Sequence, residues 1–135
     1  MDKTLKIPAT LFEEMQIHLE NCLPEEGCGL LAGEKNQVLQ WFPITNIFHS
    51  AVRYRMDAQE QLNAFLEIEK KDWQLLAIVH SHPTGPAYPS ITDIAEAYYP
   101  DVVYIIYTIQ NHNWLASGFL IQNETVKSIK IIKTK

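Results

Sequence analysis

Leu75-Leu76-Ala77-Ile78-Val79-His80-Ser81-His82-Pro83 is the stretch from which the rest of this chain is read. Its first five residues are apolar and partly β-branched, the pattern of a buried strand, and Pro83 closes it. Successive side chains of a strand point to opposite faces, so His80 and His82 project together while Ser81 points away. A carboxylate, Asp93, follows eleven residues after His82. Two imidazole nitrogens and one carboxylate oxygen make a three-point grip on one metal ion, for which zinc is the natural candidate. Three protein ligands leave a tetrahedral ion with a fourth position for water, as in catalytic rather than structural sites.

A chain of 135 residues is expected to form one domain, residues 1–135, large enough to bury a core without staples. Hydrophobic residues make up 47% and charged residues 20%, ordinary values for a globular protein, and no internal repeat is present. A formal charge of −5 argues against a surface that tracks phosphates, so no nucleic-acid partner is expected. No apolar stretch approaches the roughly 20 residues that span a bilayer. The start Met1-Asp2-Lys3-Thr4 lacks a basic segment leading into an apolar one. A soluble cytoplasmic protein without membrane contact is therefore expected. Cys22 and Cys28 show neither a Cys-x-x-Cys spacing nor a second pair, so both read as small core residues rather than disulfide or thiolate ligands.

Leu5-Lys6-Ile7 predicts a short opening strand, followed by a helix with Leu11, Met15, Leu19 and Cys22 on its inner face. Cys28 to Gly33 predicts a buried strand, Glu34-Lys35-Asn36 a turn, and Gln37 to Pro43 the next strand. Asp57 to about Asp72 predicts a second helix, with Leu62, Phe65, Leu66 and Ile68 as core contacts and its charged residues solvated. Pro83 to Pro89 is a stiff loop, after which Ser90 opens a short helix that Pro100 must stop. Val102 to Thr108, Trp114 to Ile121 and Thr125 to Ile132 predict three further strands with polar turns between them. The fold class is α+β, a mixed β-sheet flanked by helices.

Metal-assisted hydrolysis also needs a group that moves a proton. Glu25 and Glu26 precede the strand at Cys28, where a charged group can reach a cleft, but spacing alone places neither near the metal, and surface placement is the simpler reading of an acidic pair beside a turn. Ser90-x-x-Asp93 before Ile94 fits a helix-start signature, with the hydroxyl as cap and the acid against the helix dipole. His49 and His112 lack partners at ligand spacing and read as surface or hydrogen-bonded histidines. An HExxH zinc-protease helix is absent.

Taken together, Glu26 within Pro24-Glu25-Glu26-Gly27-Cys28-Gly29-Leu30-Leu31 and His80-Ser81-His82-Pro83 through Ser90-Ile91-Thr92-Asp93 resemble the signature of the JAMM (MPN-plus) metalloprotease family. The spacing His-x-His-x(10)-Asp is satisfied, and Ile44-Thr45-Asn46 through Tyr54-Arg55-Met56-Asp57 is similar to the short prokaryotic members, where an Asn precedes an aromatic and basic stretch. The resemblance implies a single MPN/JAMM-like domain with Zn²⁺ held by His80, His82 and Asp93. It implies Glu26 as general base and then acid, and Ser90 as a donor to the tetrahedral oxyanion.

Family members hydrolyse peptide or isopeptide bonds after the C-terminal Gly-Gly tail of ubiquitin or ubiquitin-like proteins, and short prokaryotic members are linked to ubiquitin-like sulfur carriers. A ubiquitin-like or sulfur-carrier protein is thus the expected partner. The loop Thr84 to Pro89, with Tyr88, is expected to line the channel for the tail by strand addition at an exposed edge. The competing readings are a non-catalytic MPN scaffold, which normally lacks the full ligand set, and a DNA-repair-associated relative, against which the net acidity weighs.

Overall fold

The computed structural model describes residues 3–135. Strand β1 (Thr4–Pro8) buries Leu5 and Ile7 on alternate positions, and the chain turns at Pro8 directly into α1 (Ala9–Cys22). There Leu11, Met15 and Leu19 recur every fourth residue and form the one buried stripe of the helix. Cys22 is only partly covered at its end, whereas Cys28 is buried. Strands β2 (Cys28–Glu34) and β3 (Gln37–Ile44) follow, then α2 (Ala58–Lys70), capped by the Asp57 carboxylate accepting from the Glu60 N–H. Next come β4 (Gln74–His82), α3 (Ile91–Ala95), and the meander β5 (Val103–Gln110), β6 (Asn113–Gln122) and β7 (Thr125–Thr134).

The sheet is mixed and closes on itself in the order β1-β3-β2-β4-β5-β6-β7. β2 runs antiparallel to both β3 and β4, β4 lies parallel to β5, and β1 closes the barrel by pairing parallel to β7 and touching β3 at Lys6 and Gln37. The hairpins β5–β6 and β6–β7 turn through two residues each, Asn111-His112 and Asn123-Glu124, all at positive φ. Two such residues in succession match the right-handed twist of the flanking strands. His112 is accordingly a turn residue at the surface.

Central strands β2, β4 and β5 are buried along nearly their whole length, because both faces of the sheet are covered. Leu31, Ala77, Val79, Ile105 and Tyr107 face the α1 stripe. Their neighbours Leu30, Ile78, Tyr104 and Ile106 face Ala64 and Ile68 of α2. The pleat thus assigns His80 and His82, in phase with Ile78, to the α2 side of the sheet.

Three sequence expectations change. Leu62 and Leu66 are 49% and 56% exposed, because α2 turns Ala64 and Ile68 to the sheet, with Phe65 partly buried, and leaves the two leucines on the adjoining face. Helix α3 ends at Ala95, five residues before Pro100. Loop 84–89 forms no strand, so it does not itself supply the strand addition expected of it, and Tyr88 packs edge-on against Phe119 of β6.

The β2–β3 contact is tight at Gly29, where an added Cβ would lie 2.2 Å from the Trp41 ring and 2.6 Å from the Phe42 carbonyl oxygen. A backbone oxygen cannot swing aside. Gly29→Ala is therefore expected to destabilise the fold by about 1–3 kcal/mol through overpacking, read from the midpoint of urea unfolding. An unchanged midpoint would refute the close approach.

Candidate metal centre

His80 and His82 leave the end of β4 on one face, and the imidazole Nε2 atoms stand 3.0 Å apart. Asp93 Oδ2 lies 3.2 Å from the first and 3.1 Å from the second. Three donor atoms at the corners of such a triangle match one face of a tetrahedral zinc site, whose ligands at 2.0–2.1 Å stand about 3.3 Å from one another. Two imidazoles and a carboxylate are also the donor chemistry of such sites. The arrangement fits a divalent metal ion with one position left for solvent.

Asp93 is placed by the helix-start signature. Ser90 Oγ accepts from the Asp93 N–H at 3.0 Å, and the Ser90 N–H donates to Asp93 Oδ2 at 2.9 Å. The reciprocal cap fixes the rotamer that carries the oxygen to the histidines, so capping and ligand placement are one arrangement. Ser90 itself is exposed, and with its oxygen accepting from Asp93 its O–H is free to donate outward. Burial opposes ionisation of Asp93, but hydrogen bonds from His80 and His82 prevail and hold its carboxyl well below the usual carboxylate range. Burial lowers His80 below an ordinary histidine; in His82 the same effect is outweighed by its bonds to Asp93 and the Pro86 carbonyl, which raise it.

His82 Nδ1 donates to the Pro86 carbonyl at 2.8 Å, which orients the ring and turns Nε2 toward the centre. The His80 ring is held differently, stacked on Tyr54 at 4.5 Å between centroids and 23° between planes. Its Nδ1 is buried and, among the described residues, has no hydrogen-bond partner.

Glu26 reaches the centre from the facing strand. Cys28 pairs with His80 in the β2–β4 register, and beyond it the Ser81 N–H donates to the Gly27 carbonyl at 3.0 Å while the Gly27 N–H donates to Ser81 Oγ at 2.8 Å. Continuing that register sets Glu26 opposite His82. The Glu26 residue is 4% exposed, and Glu26, His80 and His82 each offer a ligand atom within 4.8 Å of the others. Burial pushes the Glu26 carboxyl up to about 7, with His82 lowering it and Asp93 raising it further. Glu25 points outward to His49, 3.2 Å away at the surface. The two acids that spacing left open are thus separated by one residue of register.

Asn46 is a residue whose part sequence reasoning did not identify. Its Nδ2 donates to the carbonyls of Glu26 and Arg53, each at 3.0 Å, and its Oδ1 accepts from the N–H groups of Phe48 and Arg55, each at 3.0 Å. One buried amide ties the Glu26 segment to loop 47–55, from which Tyr54 stacks on His80.

Residues 8–128 match the family described as prokaryotic homologs of the JAB domain. Over 104 residues the chain is 41% identical to a probable TtuB-protein conjugate cleaving protease of Thermus thermophilus, spanning 76% of this chain and 69% of that protein. A CysO-cysteine peptidase of Mycobacterium tuberculosis is 38% identical over 104 residues, 76% of this chain and 71% of its own length. A solution structure of a Desulfitobacterium hafniense protein, 32% identical, superposes with a TM-score of 0.88 over 97% of this chain and 93% of that one. The JAMM resemblance carried by Glu26, His80, His82, Ser90 and Asp93 and the match over residues 8–128 have one meaning: the chain belongs to the prokaryotic JAB-domain family, among the short members of the JAMM class.

Proposed function

We propose that the chain is a zinc-dependent peptidase that hydrolyses the peptide or isopeptide bond after the C-terminal Gly-Gly tail of a ubiquitin-like or sulfur-carrier protein. The convergence of His80 Nε2, His82 Nε2 and Asp93 Oδ2 within 3.0–3.2 Å of one another, beside the buried Glu26, carries this reading. Two relatives are named for cleaving TtuB conjugates and for CysO-cysteine peptidase activity, which supports the substrate class. A complete ligand set speaks against a scaffold that lacks one. No helix among the described residues is long and apolar enough to cross a membrane. Two unbridged thiols suit a reducing compartment, and the reading includes a cytoplasmic location.

His80, His82 and Asp93 would hold the ion. Zinc, when bound, supplies Lewis acidity that polarises a carbonyl oxygen and brings the pKa of water in its shell to about 7. Glu26, buried within reach of the two imidazoles, is placed for the two transfers this hydrolysis needs: its carboxylate takes a proton from the attacking water and returns it to the departing amine. Ser90 Oγ–H donates to the oxyanion that develops on the substrate carbonyl, while the same oxygen keeps its bond to the Asp93 N–H. Pro86 and Tyr54 keep the two imidazoles aimed.

This division of labour separates two variants. Glu26→Gln is expected to lower kcat by about 10²–10⁴-fold while retaining one zinc per chain. His80→Ala is expected to lose the zinc itself. Metal content and cleavage of a Gly-Gly-linked carrier fusion, with chelation and zinc add-back for the native chain, measure both. Near-normal turnover by Glu26→Gln would remove it as the base, and a fusion left intact by the zinc-restored protein would sink the peptidase reading. Ser81→Ala leaves the buried Gly27 N–H without its side-chain acceptor, at a cost of about 1–3 kcal/mol. Its turnover should fall with zinc content unchanged; native turnover in that variant would show that the Gly27 tie does not position Glu26.

A further inference from the structure

A groove of about 350 Å³ opens beside the centre, between loop 47–56, the start of α2 and the segment after α3. Phe48, Tyr54, Tyr98, Tyr99 and Tyr104 make its aromatic walls. The whole chain contains two arginines, Arg53 and Arg55, and both line this groove. Glu96 is the one carboxylate in the lining, so the groove carries a positive excess within a chain of net charge −5.

Both arginines are held by their backbones rather than by partners for their charge. Asn46 binds the Arg53 carbonyl and the Arg55 N–H, each at 3.0 Å, which fixes the extended segment between them. The Arg53 guanidinium lies 5.0 Å above the Phe48 ring. Among the described residues neither guanidinium is in an ion pair. A planar cationic fork against aromatic walls recognises a planar anion in two-point contact, and the carboxylate is the anion a polypeptide supplies.

The side of the centre on which the groove lies decides which part of a substrate it meets. Tyr54, Glu96 and Tyr104 line both the groove and a small cleft that includes His80 and Asp93. Glu26 belongs to neither lining and stands opposite His82. A general acid must reach the departing amine, so the leaving group exits past Glu26, and the acyl part of the substrate runs over His80 and Tyr54 into the groove. Two glycines at the cut bring no side chains, so discrimination falls to the residues just before them.

We propose that this groove is a specificity site in which Arg53 and Arg55 select an aspartate or glutamate side chain immediately upstream of the Gly-Gly tail. The proposal rests on the peptidase reading for the direction in which the tail runs. Glu96, at the throat shared with the centre, disfavours a second acid nearer the cut and can accept a backbone N–H of the extended tail.

Three synthetic tail peptides ending in Gly-Gly amide, with Glu, Gln or Lys ahead of the glycines, test it by calorimetric titration against the zinc-loaded full chain. The Glu peptide is expected to bind about tenfold more tightly than the Gln peptide, and the Lys peptide more weakly still, as for a charge-assisted pair. Arg53→Gln and Arg55→Gln should each erase most of the difference between the Glu and Gln peptides and leave Gln binding near its native value. Lys127→Glu, exposed on β7, changes the net charge without touching the groove and should keep the native order. Equal binding of the three peptides, no binding of any at millimolar concentration, or unchanged selectivity in both arginine variants would overturn the proposal. Selective, arginine-dependent binding together with a carrier fusion that is never cleaved would support this site and count against the peptidase reading alone.

Discussion

Everything at the centre depends on the pair of hydrogen bonds between Gly27 and Ser81, one between main chains at 3.0 Å and one from the Gly27 N–H to the Ser81 hydroxyl at 2.8 Å. They extend the β2–β4 register one residue past the Cys28–His80 pair, to the point where both strands leave the sheet. A slip of one residue would exchange the two faces. Glu26 would then turn to the surface and Glu25 inward. Ser81 thus has a constructive part between the two histidines: the pleat that sends His80 and His82 to one side sends its hydroxyl to the neighbouring strand.

The core supplies the rigidity this register needs. β2, β4 and β5 are buried on both faces, so the sheet cannot slip by one residue without exposing apolar surface to water. Closure by β1 against β7, and against β3 at Lys6 and Gln37, shortens the open edge that a sheet of this size otherwise presents. The centre sits where this rigid body ends. His80 is 1% exposed and Ser90 lies in the open, so the ligands descend from the core while the entrance faces solvent.

Local chemistry made much of this legible in the sequence. The strand ending in His80-Ser81-His82 follows from period-two pleating and a terminating proline, the Ser90–Asp93 cap from a three-residue spacing, and the two hairpin turns from short polar runs between apolar ones. What stayed hidden is long-range. The choice between Glu25 and Glu26 required the family resemblance, because strand register across 54 residues of chain is invisible to spacing. Barrel closure joins β1 to β7 at opposite ends of the sequence. The Pro86 carbonyl that orients His82 is a backbone group and leaves no mark in residue type. Asn46 entered only through the resemblance of its stretch to the short prokaryotic members; its work as an amide that satisfies donors and acceptors of two segments at once depends on contacts that spacing does not show. Leu62 and Leu66 misled because apolarity alone does not fix which face of a short helix meets the sheet.

Two carboxylates face the same pair of imidazoles, and their surroundings drive them apart. Asp93 accepts from the Ser90 N–H and stands against both imidazoles, which holds its carboxyl well below the usual carboxylate range. Glu26 is covered without a hydrogen-bond donor to its carboxylate among the described residues, and desolvation moves it to about 7. A permanently charged oxygen is what a cation needs as a ligand; a carboxylate that gains and loses a proton near neutrality is what a bond-breaking step needs as a shuttle. The proposed roles therefore follow less from the presence of two acids than from a helix cap serving one of them and a buried strand end covering the other.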